Sequence, residues 1–538
     1  MKRREFVAGA IGTAGTMAMV QSAKAQTGGL NPQMADGNAS PPPWDGDSIN
    51  PLAEAGTGRG FSVPLRFDAQ LEDCEVFGTI PDDLDGAFYR VGGEFYYPPK
   101  FPDDAILNAD GYISMFRIKN GKVDFRGRWI ETERLRLLRD AGHQLYGYYR
   151  NPYTDDPAIR DLQNPNRRTV ANTAPMVHAG KLFALKEDGL PHQIDPNTLE
   201  TIGPWDFQGG WRSQTFTAHP KVDPVTGEMI AYGNEADGLA SDALWVYRIG
   251  TDGLVKQEVR TQVPYVSVMH DMALTQKHML FPFGGYVTGT QRLRDGKIHW
   301  GWDNTKPGFI GVLPRDGDAR DMRWFKGPLR CMMHTFNAHD EGDKIVLYAP
   351  FWDGNFFPFF PNVDGSPFNP SLARAFVRKI TIDMASSSDS WEEEILWSAP
   401  ISDLNKVDPR TMSLESRYLF TSFTDPNLPF DTSRAEGPSR PPINCYGRFD
   451  LQTGKMERYY AGPTHGLQEV TFVPRRGGSE GEGYLIGVAN NYAEARSELV
   501  IADAQRMHEG DIARVVMPFR LSAQVHGCWA TAEELPLV

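Results

Sequence analysis

One local pattern of apolar and polar residues recurs along most of the chain. Short runs in which apolar and polar residues alternate flank turns of Asp, Asn and Gly, in the segments FRIKNGKVDFRGRW, QIDPNTLETIG, KVDPVTGEMIAYG, YRIGTDGLVKQEV, VLPRDGDARDMRWF and RFDLQTGKMERYY. Each segment is typical of a β-hairpin. Many hairpins in one long chain predict an all-β fold, and a β-propeller is favoured because its radial closure leaves few exposed strand edges. The number of blades does not follow from this pattern.

Two segments depart from the hairpin pattern. Residues 131–150 (ETERLRLLRDAGHQLYGYYR) have the apolar spacing of a helix, and residues 350–370 (PFWDGNFFPFFPNVDGSPFNP) form an aromatic segment interrupted by prolines. Both are expected to cap one face of the propeller. The aromatic segment either lines a tunnel or packs over the end of the barrel.

The N-terminus has the features of an export signal. Arg3 and Arg4 precede a short, weakly apolar run that ends in AKA, an A-x-A cleavage site, so residues 1–25 are interpreted as a signal peptide. Paired arginines favour the twin-arginine (Tat) route over an ordinary Sec signal, and the expected location is the periplasm. Residues 26–60 are rich in Gly, Pro and Asn and predict a flexible arm, which leaves residues 61–538 as one propeller domain.

Composition and charge narrow the function further. The chain has 538 residues, of which 40% are hydrophobic, and a net charge of −14. A large core is therefore feasible, whereas the basic face of a nucleic-acid binder is not expected. The apolar run near the N-terminus is too short to span a bilayer, so stable membrane insertion is not expected either. The four cysteines form no CxxC motif and are interpreted as small buried hydrophobic residues.

Four histidines in strand-like contexts are the strongest chemical signal. They are His219 in TAHPKVDP, His270 in VMHDMAL, His334 in MMHTFNAHDE and His526 in QVHGCWA. Their spacing is neither that of a zinc finger nor that of an HExxH helix. Inward residues from different blades would meet on the propeller axis, so the four imidazoles are predicted to bind one divalent metal.

The type of metal stays open at this point. Four neutral ligands with no anionic donor leave positions free for O2 and a substrate, which suits Fe(II) better than structural zinc. Zinc, copper and an empty site remain alternatives. His339, five residues after His334 in what the sequence suggests is a turn, is the strongest rival as a ligand.

Histidine ligands usually donate their second N–H to a carboxylate or a carbonyl. Glu187, Asp403 and Glu469 are candidates because each lies beside apolar, strand-like residues rather than in a run of charges. For any one of them, a solvated surface carboxylate is the alternative.

These segments resemble those of the carotenoid cleavage oxygenases, and in particular of the bacterial lignostilbene dioxygenases. The resemblance rests on TAHPKVDPVTGEM, VMHDMALT, MMHTFNAHDEGDKIVL, QEVTFVPR with GEGYLIG, and VHGCWA, and extends over residues 60–538. It implies a seven-bladed propeller, Fe²⁺ bound by the four histidines, and hydrogen bonds from them to Glu187, Asp403 and Glu469. The family has Glu where this chain has Asp403, so the geometry at that position is expected to differ.

The stilbene-cleaving branch is similar at two more positions, Tyr153 in YRNPYTDDP and Lys186 in ALKED. In that branch such a pair contacts the phenol of a hydroxystilbene. Because neighbouring residues of a strand point to opposite faces, Lys186 and Glu187 can share one site only where the strand ends or bends.

The resemblance implies an enzyme that cleaves the central C=C bond of a hydroxylated, lignostilbene-like stilbene with O2 to give two aromatic aldehydes. Its partners would be an aromatic alkene and O2, and a homodimer is an expectation from relatives alone. Two alternatives remain. One is the cleavage of carotenoids or apocarotenoids by the same fold and metal. The other is an inactive or zinc-holding propeller that acts as a binding protein.

Overall fold

The computed structural model describes residues 64–397, 403–435 and 442–537, which fold mainly as antiparallel β-sheet. The predicted signal peptide (1–25) and arm (26–60) lie outside the described residues. No helix in the described part of the chain is long and apolar enough to cross a membrane.

The strands are short and follow one another closely along the chain. In chain order they are β1 (Ala69–Leu71), β2 (Glu75–Gly78), β3 (Gly86–Glu94), β4 (Asp110–Lys119), β5 (Lys122–Trp129), β6 (Ala174–His178), β7 (Lys181–Leu185), β8 (His192–Ile194), β9 (Thr201–Pro204), β10 (Lys221–Val222), β11 (Met229–Asn234), β12 (Ala243–Ile249), β13 (Val255–Gln262), β14 (Ala273–Leu274), β15 (His278–Phe283), β16 (Tyr286–Val287), β17 (Gly301–Trp302), β18 (Gly308–Pro314), β19 (Arg323–Gly327), β20 (Asn337–Glu341), β21 (Lys344–Trp352), β22 (Ala375–Asp383), β23 (Glu392–Trp397), β24 (Leu404–Val407), β25 (Tyr418–Phe423), β26 (Cys445–Asp450), β27 (Lys455–Tyr460), β28 (His465–Leu467), β29 (Thr471–Pro474), β30 (Gly483–Asn491), β31 (Arg496–Asp503), β32 (Asp511–Val516) and β33 (His526–Thr531).

Helices are few among the described residues. The α-helices are α1 (Glu133–Ala141) and α2 (Thr290–Arg294), and the 3₁₀ helices are Ile106–Asn108, Pro152–Thr154, Pro165–Arg167, Ala319–Asp321, Pro409–Thr411 and Met507–Glu509.

The sheets form the seven blades of a propeller, as the family resemblance implied. Blade 1 has the order β1-β5-β4-β3-β33, and blades 2 and 3 contain β6 to β9 and β10 to β13. Blade 4 has the order β14-β15-β18-β19, and blades 5 and 6 contain β20 to β23 and β24 to β27. Blade 7 has the order β2-β32-β31-β30, with β28 and β29 both paired to β30. A small ribbon of β16 and β17 lies outside the blades.

Both ends of the described chain close the ring. The last strand, β33, is the inner strand of blade 1, where His526 pairs with Val91 of β3. At the outer edge of blade 7, β2 pairs with β32, so that Glu75 lies opposite Val516. Because blades 1 and 7 both combine strands from distant parts of the sequence, the propeller closes only when most of the chain has folded.

All six predicted hairpins are confirmed, as β4–β5, β8–β9, β10–β11, β12–β13, β18–β19 and β26–β27. The turn between β4 and β5 shows why the sequence signal is strong. Asn120 and Gly121 have φ angles of 52° and 73°. A two-residue turn with both central φ values positive matches the twist of the strands it joins, and Asn-Gly adopts it with little strain.

Apolar side chains fill the space between neighbouring blades. Phe88 and Phe116 of blade 1, for example, pack against Ile486, Val488 and Leu499 of blade 7, and all five are fully buried. Removing one such side chain from water contributes about 1.5–3 kcal/mol. This packing fixes the angle between blades, and therefore the positions of the inner strands around the axis.

The cap is only partly helical. Helix α1 begins after Thr132, whose side chain accepts a hydrogen bond from the Leu135 N–H, and ends at Gly142 with a φ of 74°. The helix is therefore shorter than the predicted stretch 131–150, because a left-handed glycine terminates it.

Several phenylalanines of the aromatic segment are buried. Phe356, Phe359 and Phe360 are buried in one cluster that also contains Tyr149 and Tyr286. The rings of Tyr149 and Phe360 lie 6.3 Å apart. The segment therefore forms an apolar wall beside Tyr149.

Candidate metal centre

The inner strands of four blades begin at the same end of the axis, and each brings one histidine there. His219 lies just before β10, His270 just before β14 and His334 just before β20, whereas His526 is the first residue of β33. The four ligand nitrogens lie within 4.8 Å of one another, and no other such group of His, Cys, Asp and Glu is found among the described residues.

The Nε2 atoms of the four rings face a common centre. The Nε2 of His219 lies 3.0 Å from that of His270, and the separation is 3.1 Å from His270 to His334 and again from His334 to His526. The rings stand at steep angles to one another, between 66° and 89°.

These distances test whether a metal fits. With metal–nitrogen bonds of about 2.0–2.1 Å, ligands at right angles lie about 3.0 Å apart, whereas tetrahedral ligands lie about 3.4 Å apart. The observed separations match right angles. Four imidazoles at right angles leave further coordination positions free, which fits Fe(II) better than a closed structural zinc site.

The electrostatics favour neutral rings at His219 and His526, whereas at His334 burial is outweighed by the neighbouring Asp403, which raises the pKa of that ring. Burial, together with the other three histidines, holds the pKa of His219 well below its usual value. Burial likewise lowers the pKa of His526 to about 4. Both rings are therefore unprotonated on one nitrogen at neutral pH, and that nitrogen can bind a metal.

Glu469 orients His526, as predicted. It lies just before β29 of blade 7, where Oε1 accepts a 2.7 Å hydrogen bond from His526 Nδ1 and Oε2 accepts one from the Gly527 N–H. Burial would raise the pKa of Glu469, but Lys406 and His526 outweigh it and lower the pKa to about 2. The ionised carboxylate fixes the proton on Nδ1, so Nε2 faces the centre.

Glu187 occupies the equivalent position for His270, and its Oε1 contacts His270 Nδ1. Strand β7 ends at Leu185, so the chain bends at Lys186, as the strand geometry required. Glu187 Oε2 then lies 3.4 Å from Lys186 Nζ. Burial opposes ionisation, yet Lys186 and His270 hold the pKa of Glu187 well below its usual value.

The prediction for Asp403 is only partly correct. His334 Nδ1 lies 2.6 Å from the backbone carbonyl oxygen of Asp403 and 3.7 Å from its carboxylate Oδ2. Oδ2 instead accepts a 3.0 Å hydrogen bond from the indole N–H of Trp352. Asp403 has a φ of 66°, which turns its carbonyl toward the histidine. The shorter side chain thus leaves the orienting role to the backbone.

The predicted pairing of Tyr153 with Lys186 is wrong, because Tyr149 takes that place. Lys186 and Tyr149 are 2% and 4% exposed, and Lys186 Nζ lies 5.2 Å from the centroid of the Tyr149 ring. Tyr153 is half-buried in the 3₁₀ helix Pro152–Thr154, which contacts α2.

A tight bend separates the two tyrosines. Arg150 has a φ of 51°, in the left-handed region, and Asn151 caps the 3₁₀ helix by accepting a hydrogen bond from the Tyr153 N–H. Asn151 also donates to the carbonyl oxygens of Leu293 and Lys297. These bonds hold Tyr153 beside α2, whereas Tyr149 enters the core.

A buried ion-pair network behind this bend had no sequence signal. Arg150 pairs with Glu235 at 2.8 Å, and Glu235 contacts His299 Nε2 at 2.9 Å. His299 Nδ1 lies 3.0 Å from the Arg150 carbonyl oxygen. His299 belongs to no recognisable motif, because its partners Arg150 and Glu235 lie far from it in the sequence.

The remaining predictions concern His339 and the cysteines. His339 is buried in β20, not in a turn, and its ring stacks on that of Tyr348 with centroids 6.0 Å apart, outside the four-histidine cluster. Cys74, Cys331 and Cys445 are buried and unpaired, which agrees with their interpretation as small hydrophobic residues, whereas Cys528 is unpaired but only partly buried.

Comparison with known proteins places these features in a family. The retinal pigment epithelial membrane protein (RPE65) family matches residues 60–531. The chain is 39% identical over 482 residues to lignostilbene-alpha,beta-dioxygenase isozyme III of Sphingomonas paucimobilis, covering 89% of this chain and 97% of that protein.

Two further relatives are similarly complete. Isoeugenol monooxygenase of Pseudomonas nitroreducens is 38% identical over 473 residues, covering 87% of this chain and 97% of its own. The crystal structure of Pseudomonas brassicacearum lignostilbene dioxygenase superposes with a TM-score of 0.83 at 37% identity, and covers 87% of this chain and 97% of that one.

Proposed function

Because the chain belongs to the RPE65 family of carotenoid cleavage oxygenases, we propose that it cleaves the central C=C bond of a hydroxylated stilbene with O2 to give two aromatic aldehydes. It is a dioxygenase of this family, and its homologues support action on stilbenes or other aromatic alkenes. One observation carries the proposal, namely the buried ammonium of Lys186 over the ring of Tyr149, beside the carboxylate that orients His270.

The named substrates of the relatives support this choice. Lignostilbenes and isoeugenol share a phenol conjugated to an alkene, and the corresponding enzymes are 39% and 38% identical to this chain. A site for such compounds needs polar groups at the phenol end and apolar walls along the alkene.

We propose Fe²⁺ as the metal, bound by His219, His270, His334 and His526. The right-angle geometry and the neutral donor set support it, and the family depends on non-haem iron. Bound iron would supply the activation of O2.

Lys186 and Tyr149 would bind the substrate phenol. Burial tends to lower the pKa of Lys186, but Tyr149 and the carboxylates of Glu187 and Asp188 outweigh it and raise the pKa above its usual value. Burial raises the pKa of Tyr149 to about 12. An ammonium and a neutral hydroxyl can therefore both donate to a phenolate oxygen, and such donors stabilise it more strongly in a buried pocket than in water.

The phenolate form matters because it sends electron density into the conjugated alkene. Donors fixed at one end of the substrate also set the position of the alkene along the pocket. The apolar wall formed by Phe356, Phe359 and Phe360 beside Tyr149 excludes water from this end of the site.

Carotenoid or apocarotenoid cleavage is the first rival. It would use the same fold and metal, but a long polyene offers no phenol to a buried cation. The buried ammonium of Lys186 is paired with Glu187, and a phenolate would give it a second anionic partner that a polyene lacks, which favours a phenolic substrate.

The second rival is a binding protein that holds zinc or lacks activity. We retain this alternative because the chain has Asp403 where the family has Glu. Metal analysis together with O2 uptake in the presence of stilbenes decides this point. Zinc without O2 uptake would support the binding protein, and iron with O2 uptake the oxygenase.

The variant Lys186→Met tests directly whether Lys186 stabilises the phenolate of the substrate. It should lower kcat for 4-hydroxystilbene by roughly 10²-fold or more, the effect of losing one oxyanion donor, with iron content unchanged. Lys122→Met is the matched control, because Lys122 is exposed and pairs with exposed Asp73 on the surface. Equal turnover in Lys186→Met and the control would exclude the phenolate role.

We also propose that the Tat route exports the protein to the periplasm. The paired Arg3 and Arg4 support this proposal. Replacing both by Lys should leave the protein in the cytoplasmic fraction, and unchanged periplasmic accumulation would contradict it.

A further inference from the structure

A partly open cavity lies between Tyr149 and blade 3. Its volume is about 30 Å³, which is enough for a small polar group such as a hydroxyl. Tyr149 and Glu187 line one part of it, while Phe216, Val268, Met269 and Trp300 provide apolar walls. The cavity therefore continues from the residues proposed to hold the substrate phenol.

Among the described residues, two buried polar atoms of the cavity wall lack a hydrogen bond, Glu187 Oε2 and Asn234 Oδ1. Glu187 Oε2 lies 3.4 Å from the ammonium of Lys186, whereas Asn234 Oδ1 has no such charged neighbour in that part of the chain. Asn234, at the end of β11, lines the cavity, and its Oδ1 is buried without a hydrogen bond. Its Nδ2 donates a 2.7 Å hydrogen bond to the Ser267 carbonyl oxygen, and this fixes the orientation of the amide. Flipping the amide would place Oδ1 against the Ser267 carbonyl oxygen, and two acceptors repel each other. Oδ1 is therefore a buried acceptor without a donor.

A buried acceptor without a donor costs about 1–3 kcal/mol, so a donor on a ligand would be recognised there. Because Oδ1 is a hydrogen-bond acceptor, it favours a ligand that carries a hydroxyl or an N–H at this point over one that carries an ether oxygen or a hydrogen atom. A ring whose first hydroxyl lies at Lys186 and Tyr149 can present a second hydroxyl to the cavity.

Buried ion pairs hold part of the wall of the cavity in place. Arg150 lines it and is tied to Glu235, which immediately follows Asn234 in sequence. Glu235 is completely buried and also contacts His299. The network thus fixes Arg150 and the segment that follows Asn234 in one arrangement.

We propose that this cavity is a subsite for a second hydroxyl on the phenol-bearing ring, and that Asn234 is the residue that selects it. The inference rests on the proposed function and narrows its substrate class to stilbenes that carry two hydroxyls on that ring. Asn234 is a specificity-determining residue in this assignment, and Lys186 and Tyr149 keep their role toward the first hydroxyl.

Turnover of matched substrates tests the subsite. For the wild type, kcat/KM should be about tenfold higher for 3,4-dihydroxystilbene than for 4-hydroxystilbene, the effect of one recovered hydrogen bond. Asn234→Leu should abolish this preference and leave the rate on 4-hydroxystilbene and the iron content close to wild type. Asn304→Leu, the same exchange at an exposed position, should retain the preference.

A binding measurement separates the subsite from the reaction. Saturated analogues, 3,4-dihydroxybibenzyl and 4-hydroxybibenzyl, have no C=C bond to cleave, and quenching of tryptophan fluorescence reports their binding because Trp300 lines the cavity. The wild type should bind the dihydroxy compound about tenfold more tightly, and Asn234→Leu should bind both equally.

The outcomes distinguish the two proposals. Preferential binding that depends on Asn234, without cleavage of any stilbene, would support the subsite and overturn the proposed function. Cleavage of 4-hydroxystilbene with no preference that depends on Asn234 would overturn the subsite, because Oδ1 then faces only water. Equal losses on both substrates in Asn234→Leu would also overturn it.

Discussion

The ammonium of Lys186 lies 5.2 Å from the centroid of the Tyr149 ring, and both side chains are almost completely buried. A bend at the end of β7 places Lys186 there, and a bend at Arg150 places Tyr149. The pair combines a cation and a phenol at the edge of a metal centre. In the proposed function, this arrangement favours phenolic alkenes over polyenes as substrates.

The first prediction separates the two tyrosines. Tyr149→Phe should lower kcat for 4-hydroxystilbene by roughly 10²-fold, because it removes one donor to the phenolate oxygen. Tyr153→Phe should change kcat less than about twofold, since Tyr153 is only half-buried, in the 3₁₀ helix Pro152–Thr154 beside α2. Steady-state kinetics with iron-loaded protein give both values, and a reversed order would restore Tyr153 to the site.

The second prediction concerns the ligands. His334→Ala should remove most of the iron, because one of four converging nitrogens is lost. His339→Ala, five residues away on β20, should retain the iron content of the wild type. Metal analysis of the purified variants tests this. Iron retained in His334→Ala but lost in His339→Ala would show that His339, and not His334, is the metal ligand.

The third prediction compares His526, which a carboxylate orients, with His334, which a backbone carbonyl orients. Glu469→Gln should weaken iron binding by about 10–100-fold, the usual cost of losing an orienting carboxylate, because the amide NH2 would face either the His526 or the Gly527 N–H. Asp403→Asn keeps the backbone carbonyl and an acceptor for Trp352.

Iron affinity in Asp403→Asn should therefore change by well under tenfold. Competition with a chelator of known affinity measures both variants under identical conditions. A loss in Asp403→Asn as large as that in Glu469→Gln would show that the carboxylate, and not the carbonyl, orients His334.

The fourth prediction concerns the dependence of stability on pH. Glu94 is buried, and burial raises its pKa to about 7, although the Leu65 N–H and Arg520 act in the opposite direction. The native protein therefore retains a proton that the unfolded chain releases between about pH 4.5 and 7. Because the native state binds more protons in this window, the free energy of unfolding falls as the pH rises, by about 3 kcal/mol from this group.

Glu94→Gln cannot titrate and should lack that contribution. The free energy of unfolding of Glu94→Gln relative to wild type should rise by about 3 kcal/mol between pH 4.5 and 7, measured by guanidinium denaturation. A constant difference for Glu94→Gln would show that Glu94 is ionised throughout.

Much of the fold could be predicted from local signals. Turns such as Asn120-Gly121 identify hairpins because few residues tolerate positive φ, and this requirement is visible in the sequence. The count of seven blades came only from the family resemblance, since pairings such as Val91 with His526 join distant parts of the chain. The four histidines were identified from their strand-like contexts, and the family resemblance then implied that they bind Fe²⁺.

The finer contacts of the site could not be predicted. Tyr149 and Tyr153 lie in one short motif, and the bend at Arg150 that separates them depends on tertiary hydrogen bonds. The contact between His334 and the Asp403 carbonyl involves a backbone atom, which every residue type has. Asn234 and His299 gave no signal because their roles depend on what packs around them.

Product identification from a substrate panel tests the central claim most directly. Iron-loaded protein is incubated under O2 with 4-hydroxystilbene, isoeugenol and an apocarotenal, and the products are identified by mass. We expect 4-hydroxystilbene to yield 4-hydroxybenzaldehyde and benzaldehyde in equal amounts, with one O2 consumed for each stilbene. Cleavage of the apocarotenal with the stilbene left intact would contradict the account.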